Sequence, residues 1–249
     1  MQVIKVGGNE LADPAFLLGL AQSVKAIQTE SGQAVVIVHG GGKAIAELQG
    51  KLGLETVKVN GLRITDAESL TVAEMVLSGH SNKLIVRALL AAGITAVGLS
   101  GVDGGLLRCQ KKQHPTSDLG FVGDIVEVNI NLITNLMHQG LTAVISPISL
   151  GLDGQTYNVN ADDAATAVAN ALHATLLNFV SNVPGVLQNG QTLKHLTIAQ
   201  TEALITNGVI TDGMIPKVRA ACTAVEKGVQ QARIVNLSGL TESGGTIFS

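Results

Sequence analysis

Residues 35–42, VVIVHGGG, restrict the possible folds of this chain more than any other stretch, because an apolar β-branched run ends abruptly in His39 and three consecutive glycines. A short run of this kind bounded by glycine reads as a buried strand, and residues 43–52 (KAIAELQGKL) carry the apolar spacing of a helix that follows it. Strand, bare backbone and helix in that order make an anion-binding corner. Lacking a Cβ, Gly40, Gly41 and Gly42 let backbone N–H groups approach a ligand oxygen, and the helix end adds a partial positive charge worth about 0.3–1 kcal/mol to an anion. A tight turn needs only one glycine, so the triplet points to a ligand. For His39 the sequence leaves open both a ligand role and that of a plain strand end.

The commonest phosphate fingerprints do not fit. After Gly40 and Gly42, Ile45 stands where G-x-G-x-x-G requires its last glycine, which disfavours a dinucleotide site. Gly42-Lys43 is followed by Ala44 where a P-loop carries Ser or Thr, and Ile37 occupies the place of its first glycine. At 249 residues the chain can bury a full core, as one large α/β domain or two joined lobes. Sixteen basic against 19 acidic residues, no basic run, no Trp and one Tyr make nucleic acid an unsuitable partner. Cys109 and Cys222 match no metal spacing and suit a reducing cytoplasm, where the protein is expected to reside. No apolar run approaches the ~20 residues of a spanning helix, so no membrane association is expected.

The first strand, around residues 3–6, runs into Gly7-Gly8 and holds Lys5 near its end. A buried ammonium is costly, so Lys5 either reaches solvent or faces an anion, and the glycines beside it give an anion room. Asp13-Pro14 opens a helix that closes before Gly32. Thr65 and Glu68 have capping-box spacing for the next helix, just after a loop, 60–63, that ends in Arg63. That arginine suits bidentate capture of a carboxylate, although a solvated surface position is equally open. Residues 106–112 and 121–128 alternate around a turn and read as a β-hairpin inserted in the α/β frame, suited to act as a lid or as a plain flap. Residues 142–148 (TAVISPI) read as one buried strand. Asn160 caps an Ala-rich helix with Asp162 and Asp163 in its first turn, where the helix dipole alone accounts for a carboxylate. A sharp turn over 181–186 follows a strand at the usual place for a ligand loop. Lys217 sits in the first turn of the helix opened by residues 211–216, against its dipole preference, which suggests an anion nearby.

Six motifs in chain order, KVGG at Lys5, VHGGG ending at Gly42, NGLRIT around Arg63, NVNADDAA from Asn158, SNVPGV from Ser181 and DGMIPK ending at Lys217, together resemble the acetylglutamate kinases of the amino acid kinase family. The resemblance spans essentially the whole chain. It implies a three-layer αβα sandwich with a mainly parallel central sheet and an inserted β-hairpin. It also implies a substrate-binding, dimerising N-terminal lobe over residues 1–173 and an ATP-binding lobe over 174–249. The implied reaction is ATP-dependent phosphorylation of the γ-carboxylate of N-acetyl-L-glutamate, a step of arginine biosynthesis. Lys5 and Lys217 would flank the phosphoryl group in flight, and Asp162 would hold both lysines. Gly41 and Gly42 would donate N–H groups near it, and Arg63 and Asn158 would bind the substrate's α-carboxylate end. Gly7, Gly8, Ser181, Asn182, Val183, Gly185, Val186, Ile210 and Thr211 would hold the nucleotide, with Mg²⁺ carried on ATP and no protein metal site.

The resemblance also bounds the alternatives. An extra N-terminal helix accompanies hexamers and arginine feedback in this family, and here the first strand begins at once, so a homodimer without strong arginine control is expected. The DGMIPK form, frequent among arginine-sensitive members, points the other way. A PII-type signalling protein is a further partner the family admits. The nearest rival reading is an aminoadipate-type kinase of lysine biosynthesis, and the rival from another class is a non-catalytic nucleotide-binding regulator. Such aminoadipate-type kinases tend to show Ser after HGG and to lack NGLRIT, and a regulator has no use for the second lysine.

Overall fold

The structure is a computed structural model that describes residues 1–59, 62–211, 213–242 and 244–249. Asn60 and Gly61 of NGLRIT and Asp212 of DGMIPK therefore lie outside the described residues. The main sheet runs, edge to edge, through β14 (His195–Leu196), β16 (Thr246–Phe248), β15 (Ala232–Val235), β11 (Leu176–Val180), β1 (Gln2–Val6), β2 (Val35–His39), β8 (Thr142–Ser146) and β5 (Ala96–Ser100). Neighbouring strands are parallel except β15 and β16.

Every residue of β2 is buried, as a strand covered on both faces requires, and this is why its sequence reads as an unbroken apolar run. The two-residue period sends Val36 and Val38 into one layer and Val35, Ile37 and His39 into the other. Val36 and Val38 join Val3, Ala143 and Ile145 beneath α5 (Ile130–His138), α6 (Ala161–Ala171) and α8 (Met214–Glu226). Val35 and Ile37 join Ile4, Val6 and Val144 beneath α1 (Pro14–Glu30) and α4 (Asn82–Ala91). The result is a three-layer αβα sandwich. Among the described residues no helix is long and apolar enough to cross a membrane.

A second sheet of four strands, in the order β10 (Thr156–Asn158), β9 (Ile148–Gly151), β6 (Leu107–Lys111) and β7 (Gly123–Val128), carries the expected hairpin. β6 and β7 pair antiparallel, and isolated bridges tie Thr65 to Gly120 and Val122 to Asn158. The smaller elements are α2 (Gly42–Lys51), α3 (Ala67–Glu74), α7 (Ile198–Thr206) and two short ladders, β3 (Lys58–Val59) with β4 (Leu62–Arg63) and β12 (Leu187–Gln188) with β13 (Gln191–Thr192). The Asn160 cap is formed as the sequence predicts, and Thr197 and Gln200 form a capping box at the start of α7.

Two expectations are corrected. The cap of α3 is Asp66, whose carboxylate accepts from the Ser69 N–H, and not Thr65, which is tied into the bridge with Gly120. An extended residue already spent on a β-bridge cannot also open the helix. The stretch 142–148 is also not one strand. Its Pro147 offers no N–H to a ladder, and the chain leaves the main sheet there, so β8 and β9 belong to different sheets. The helix after α3 continues through a π-helical turn, Met75–Ser81, into α4.

Parallel pairing brings the C-terminal ends of β1, β2 and β11 to one edge, with β1 at the point where the chain's strand order reverses. The corners after β1 and β2 touch, since a methyl built on Gly8 would lie 2.5 Å from the Gly41 Cα, whereas one on Gly42 would meet nothing within 4 Å. Gly8→Ala is therefore expected to cost about 1–3 kcal/mol through overpacking, and Gly42→Ala to stay within about 0.5 kcal/mol of the parent, both read from chemical-denaturation midpoints.

Candidate active site

Lys5 lies one residue before the end of β1, on the sheet face that α6 covers, and its Nζ stands 2.8 Å from Oδ1 of Asp162. Asp162 is held there by the start of its own helix: Asn160 Oδ1 accepts from the Asp162 N–H at 2.7 Å and the Asp163 N–H at 3.3 Å. The N-terminal dipole of α6 favours the ionised carboxylate. Asp163, one residue on, points instead to Lys227, 3.8 Å away.

Lys217 is the fourth residue of α8, and its Nζ donates to Ser181 Oγ at 2.6 Å and Asn182 Oδ1 at 3.2 Å. Desolvation lowers its pKa from the ordinary lysine value, Glu10 opposes the shift and the Lys5 charge adds to it. Two ammonium groups therefore share one local field. They line a single cavity of about 430 Å³ together with Gly7, Gly8, Asp162 and Ser181. Asp162 thus fixes Lys5, while Lys217 is fixed by the turn after β11. In this structure Asp162 pairs with Lys5, and the Lys217 ammonium meets Ser181.

A second cavity of about 200 Å³ adjoins the glycine corner and is lined by Gly41, Gly42, Arg63, Val122 and Asn158, among others. Arg63 Nη1 donates to Gln49 Oε1 and to Thr56 Oγ1 at 3.0 Å, and its Nη2 to the Gly42 carbonyl at 3.1 Å. All three acceptors are neutral, so among the described residues no carboxylate cancels the guanidinium charge. Burial lowers its pKa, yet it stays cationic. Asn158 is seated by its N–H to the Phe121 carbonyl at 2.9 Å and by its amide to Thr65 Oγ1 at 3.4 Å. Val122, brought by the hairpin, forms part of the same wall.

Lys5, Gly7, Gly8, Asp162, Ser181, Asn182 and Lys217 thus meet at the larger cavity, and Gly41, Gly42, Arg63 and Asn158 at the smaller one. Val183, Gly185, Val186, Ile210 and Thr211 line neither. Val186 and Ile210 are buried in the core, and the Val186 N–H is taken by Thr246 Oγ1 at 2.8 Å. Sequence reasoning missed Glu10, which follows the first glycine corner and faces Lys217, and Gln49, a wholly buried amide that carries Arg63. A polar residue on the apolar stripe of α2 was the available signal for Gln49.

The family model "Amino acid kinase family" matches residues 1–236. The acetylglutamate kinase of Roseiflexus sp. (strain RS-1) is 52% identical over 247 residues, 99% of this chain and 93% of that protein. The one from Methanopyrus kandleri is 42% identical, covering 99% of each. Among solved structures, the protein smu.665 of Streptococcus mutans UA159 is 31% identical with a TM-score of 0.83, over 100% of this chain and 98% of that one. A carbamate kinase from Giardia, 17% identical with a TM-score of 0.71 over 99% and 97% of the two chains, shares the fold. With two lysines facing one cavity, an arginine and bare glycine amides beside the next, and relatives of this identity over nearly the full length, this chain belongs to the amino acid kinase family, and within it to the acetylglutamate kinases.

Proposed function

We propose that the protein transfers the γ-phosphoryl group of ATP to the γ-carboxylate of N-acetyl-L-glutamate, giving an acyl phosphate for arginine biosynthesis. The observation that carries this reading is that Lys5 and Lys217, from opposite ends of the chain, face one cavity, with Arg63 and Asn158 in the cavity beside it. A carboxylate acceptor is ionised at pH 7, so the step needs no general base. It needs two anions brought together in line, and each preorganised donor at the developing charge is worth about 3–4 kcal/mol.

In this reading Arg63 and Asn158 hold the α-carboxylate end of the substrate and point its side chain toward the glycine corner. Gly41 and Gly42 donate N–H groups to the phosphoryl oxygens, and Lys5 and Lys217 neutralise the acceptor side and the leaving side. Asp162 keeps Lys5 extended. The nucleotide lies over Gly7, Gly8, Ser181 and Asn182, with 183–186 and 210–211 supporting the loops around it. The cavity's two ammonium groups and bare glycine backbone fit a triphosphate. Mg²⁺ would ride on that triphosphate and neutralise part of its charge. The N-terminal lobe, 1–173, takes the amino acid and the C-terminal lobe, 174–249, the nucleotide, with the seam at the pairing of β1 with β11. A homodimer completes the reading: β5 is an edge strand, and Leu90 on the α4 helix that packs against it is half exposed, so a second copy has apolar surface to cover.

An ATP-dependent hydroxamate assay should yield acyl phosphate from N-acetyl-L-glutamate and little from glutamate, aspartate or aminoadipate, and equal yields would reject the substrate assignment. Lys217→Ala should lower kcat about a hundredfold to a thousandfold with little change in KM. Arg63→Ala should instead raise KM for the amino acid about tenfold to a hundredfold, the loss of a hydrogen bond to a charged group. Because desolvation lowers the Lys217 pKa, its charge is lost as pH rises to a point below the ordinary 10.5. The kcat–pH profile should therefore fall on its alkaline side below that value, and Lys217→Arg should remove this limb.

A further inference from the structure

His39 ends β2 on the sheet face opposite Lys5 and is wholly buried. Its ring is nevertheless tied to the active-site corner. Nδ1 lies 3.1 Å from the carbonyl oxygen of Gly40, and Nε2 lies 3.2 Å from Nδ2 of Asn82, the first residue of α4. The direction of every bond follows from the partners. Asn82 Oδ1 accepts from Lys83 Nζ at 2.9 Å, and Asn82 Nδ2 donates to the Val144 carbonyl at 2.9 Å, which fixes the orientation of that amide. Nδ2, which also lies 3.4 Å from the Leu99 carbonyl, thus presents an N–H edge to Nε2, so Nε2 holds the lone pair and Nδ1 holds the proton. A carbonyl can only accept, and Nδ1–H donates to Gly40.

A planar trans peptide points its C=O and N–H in opposite directions. With the Gly40 carbonyl drawn back into the α1/α4 layer by His39, the Gly41 N–H of the same peptide faces the other way, toward the cavity that Gly40, Gly41 and Gly42 line. The flanking groups are fixed as well: the Gly40 N–H donates to the Val6 carbonyl at 3.0 Å, and the Gly41 carbonyl accepts from the Ile45 N–H at 3.0 Å. Among the described residues the Gly41 N–H itself has no acceptor. The brace is also made room for. A methyl on Gly98 would lie 1.8 Å from Asn82 Oδ1, so the strand β5 is bare where that amide passes. Desolvation by burial lowers the His39 pKa to about 4, against the opposing pull of the Gly40 bond and with a small contribution from Lys83, so the ring is neutral at pH 7.

We propose that His39, braced by Asn82, is a positioning residue that sets the Gly40–Gly41 peptide with its N–H aimed at the transferring phosphoryl group. The inference rests on the reading of Gly41 as a donor to that group. It deepens that reading by assigning the donor's orientation to a side chain on the far side of the sheet.

The test joins a structural and a kinetic readout on the full chain. Nitrogen-15 NMR of the His39 ring at pH 7 should show the proton on Nδ1 and the lone pair on Nε2, and a proton on Nε2 overturns the proposal. His39→Leu should lower kcat about a hundredfold, near the loss from one oxyanion-type donor, with KM for both substrates within about threefold. His39→Asn, whose amide can replace the Nδ1–H donor, should recover kcat to within about tenfold of the parent. Unchanged kcat in His39→Leu, a joint loss of kcat and affinity, or an Asn variant no better than Leu would each overturn it. If His39→Leu does not fold, Asn82→Ala carries the same expected split, since it frees the ring to turn. If the unaltered protein phosphorylates none of the carboxylates, the functional reading has failed. The ring tautomer and the solvent exchange of the Gly41 N–H then decide this proposal alone, a slowly exchanging amide counting against it.

Discussion

The contact between the two glycine corners is the constraint on which the site depends. The Gly8 backbone approaches Gly41 so closely that no Cβ fits between them, and this sets the ends of β1 and β2 side by side at the sheet edge. The larger cavity opens beside Gly8 and the smaller beside Gly41, so the two lie on either side of this contact. Any side chain at that contact would separate the two ligands that must react. Proximity of this kind supplies much of the barrier reduction when neither partner needs a base or a covalent intermediate.

Charge is the second requirement, and the fold meets it by pairing unlike sites. The larger cavity holds two ammonium groups: desolvation lowers the Lys217 pKa, Glu10 opposes that shift and the Lys5 charge adds to it, while Asp162 pairs with Lys5. The cavity is therefore close to balanced without ligand, and an arriving phosphate finds donors already in place. Arg63 follows the opposite design. Among the described residues it is bound to neutral oxygens of Gln49, Thr56 and Gly42, so its charge is not cancelled by a carboxylate of the chain. Holding a cation with neutral acceptors orients it without neutralising it.

The sequence makes the sheet's middle legible because β1, β2 and β11 are buried on both faces and their composition has little freedom. The caps at Asn160 and Thr197 are legible for a similar reason, since a cap is a local interaction within four residues. What escapes is decided by partners remote in the chain. Thr65 has the spacing of a cap, but a bridge to Gly120 claims it and leaves the task to Asp66. Residues 142–148 are apolar throughout, and only Pro147 hints that the last of them leave for another sheet. Asp162 and Asp163 are indistinguishable in sequence, yet a 100° step around the helix sends one to Lys5 and the other to Lys227. Gln49 and Asn82 carry no motif of their own, because each acts by touching a residue far away in sequence, and Glu10 acts on Lys217 only through its charge.

The same alternation that builds the core also divides labour between the layers. Along β1 and β2 the side chains of Lys5 and His39 leave the sheet on opposite faces, one into the α6 layer and one into the α4 layer. On the α6 side the groups are charged and line a cavity, Lys5 held by its ion pair with Asp162 and Lys217 by the neutral oxygens of Ser181 and Asn182. On the α4 side His39 and Asn82 are neutral and fully buried, with Asn82 joining His39 to the carbonyl of Val144 and accepting from Lys83 at the rim. A charge open to a cavity and a backbone donor held by buried partners are different demands on the side chains around them. Placing the sheet between them separates the two demands by the thickness of one strand.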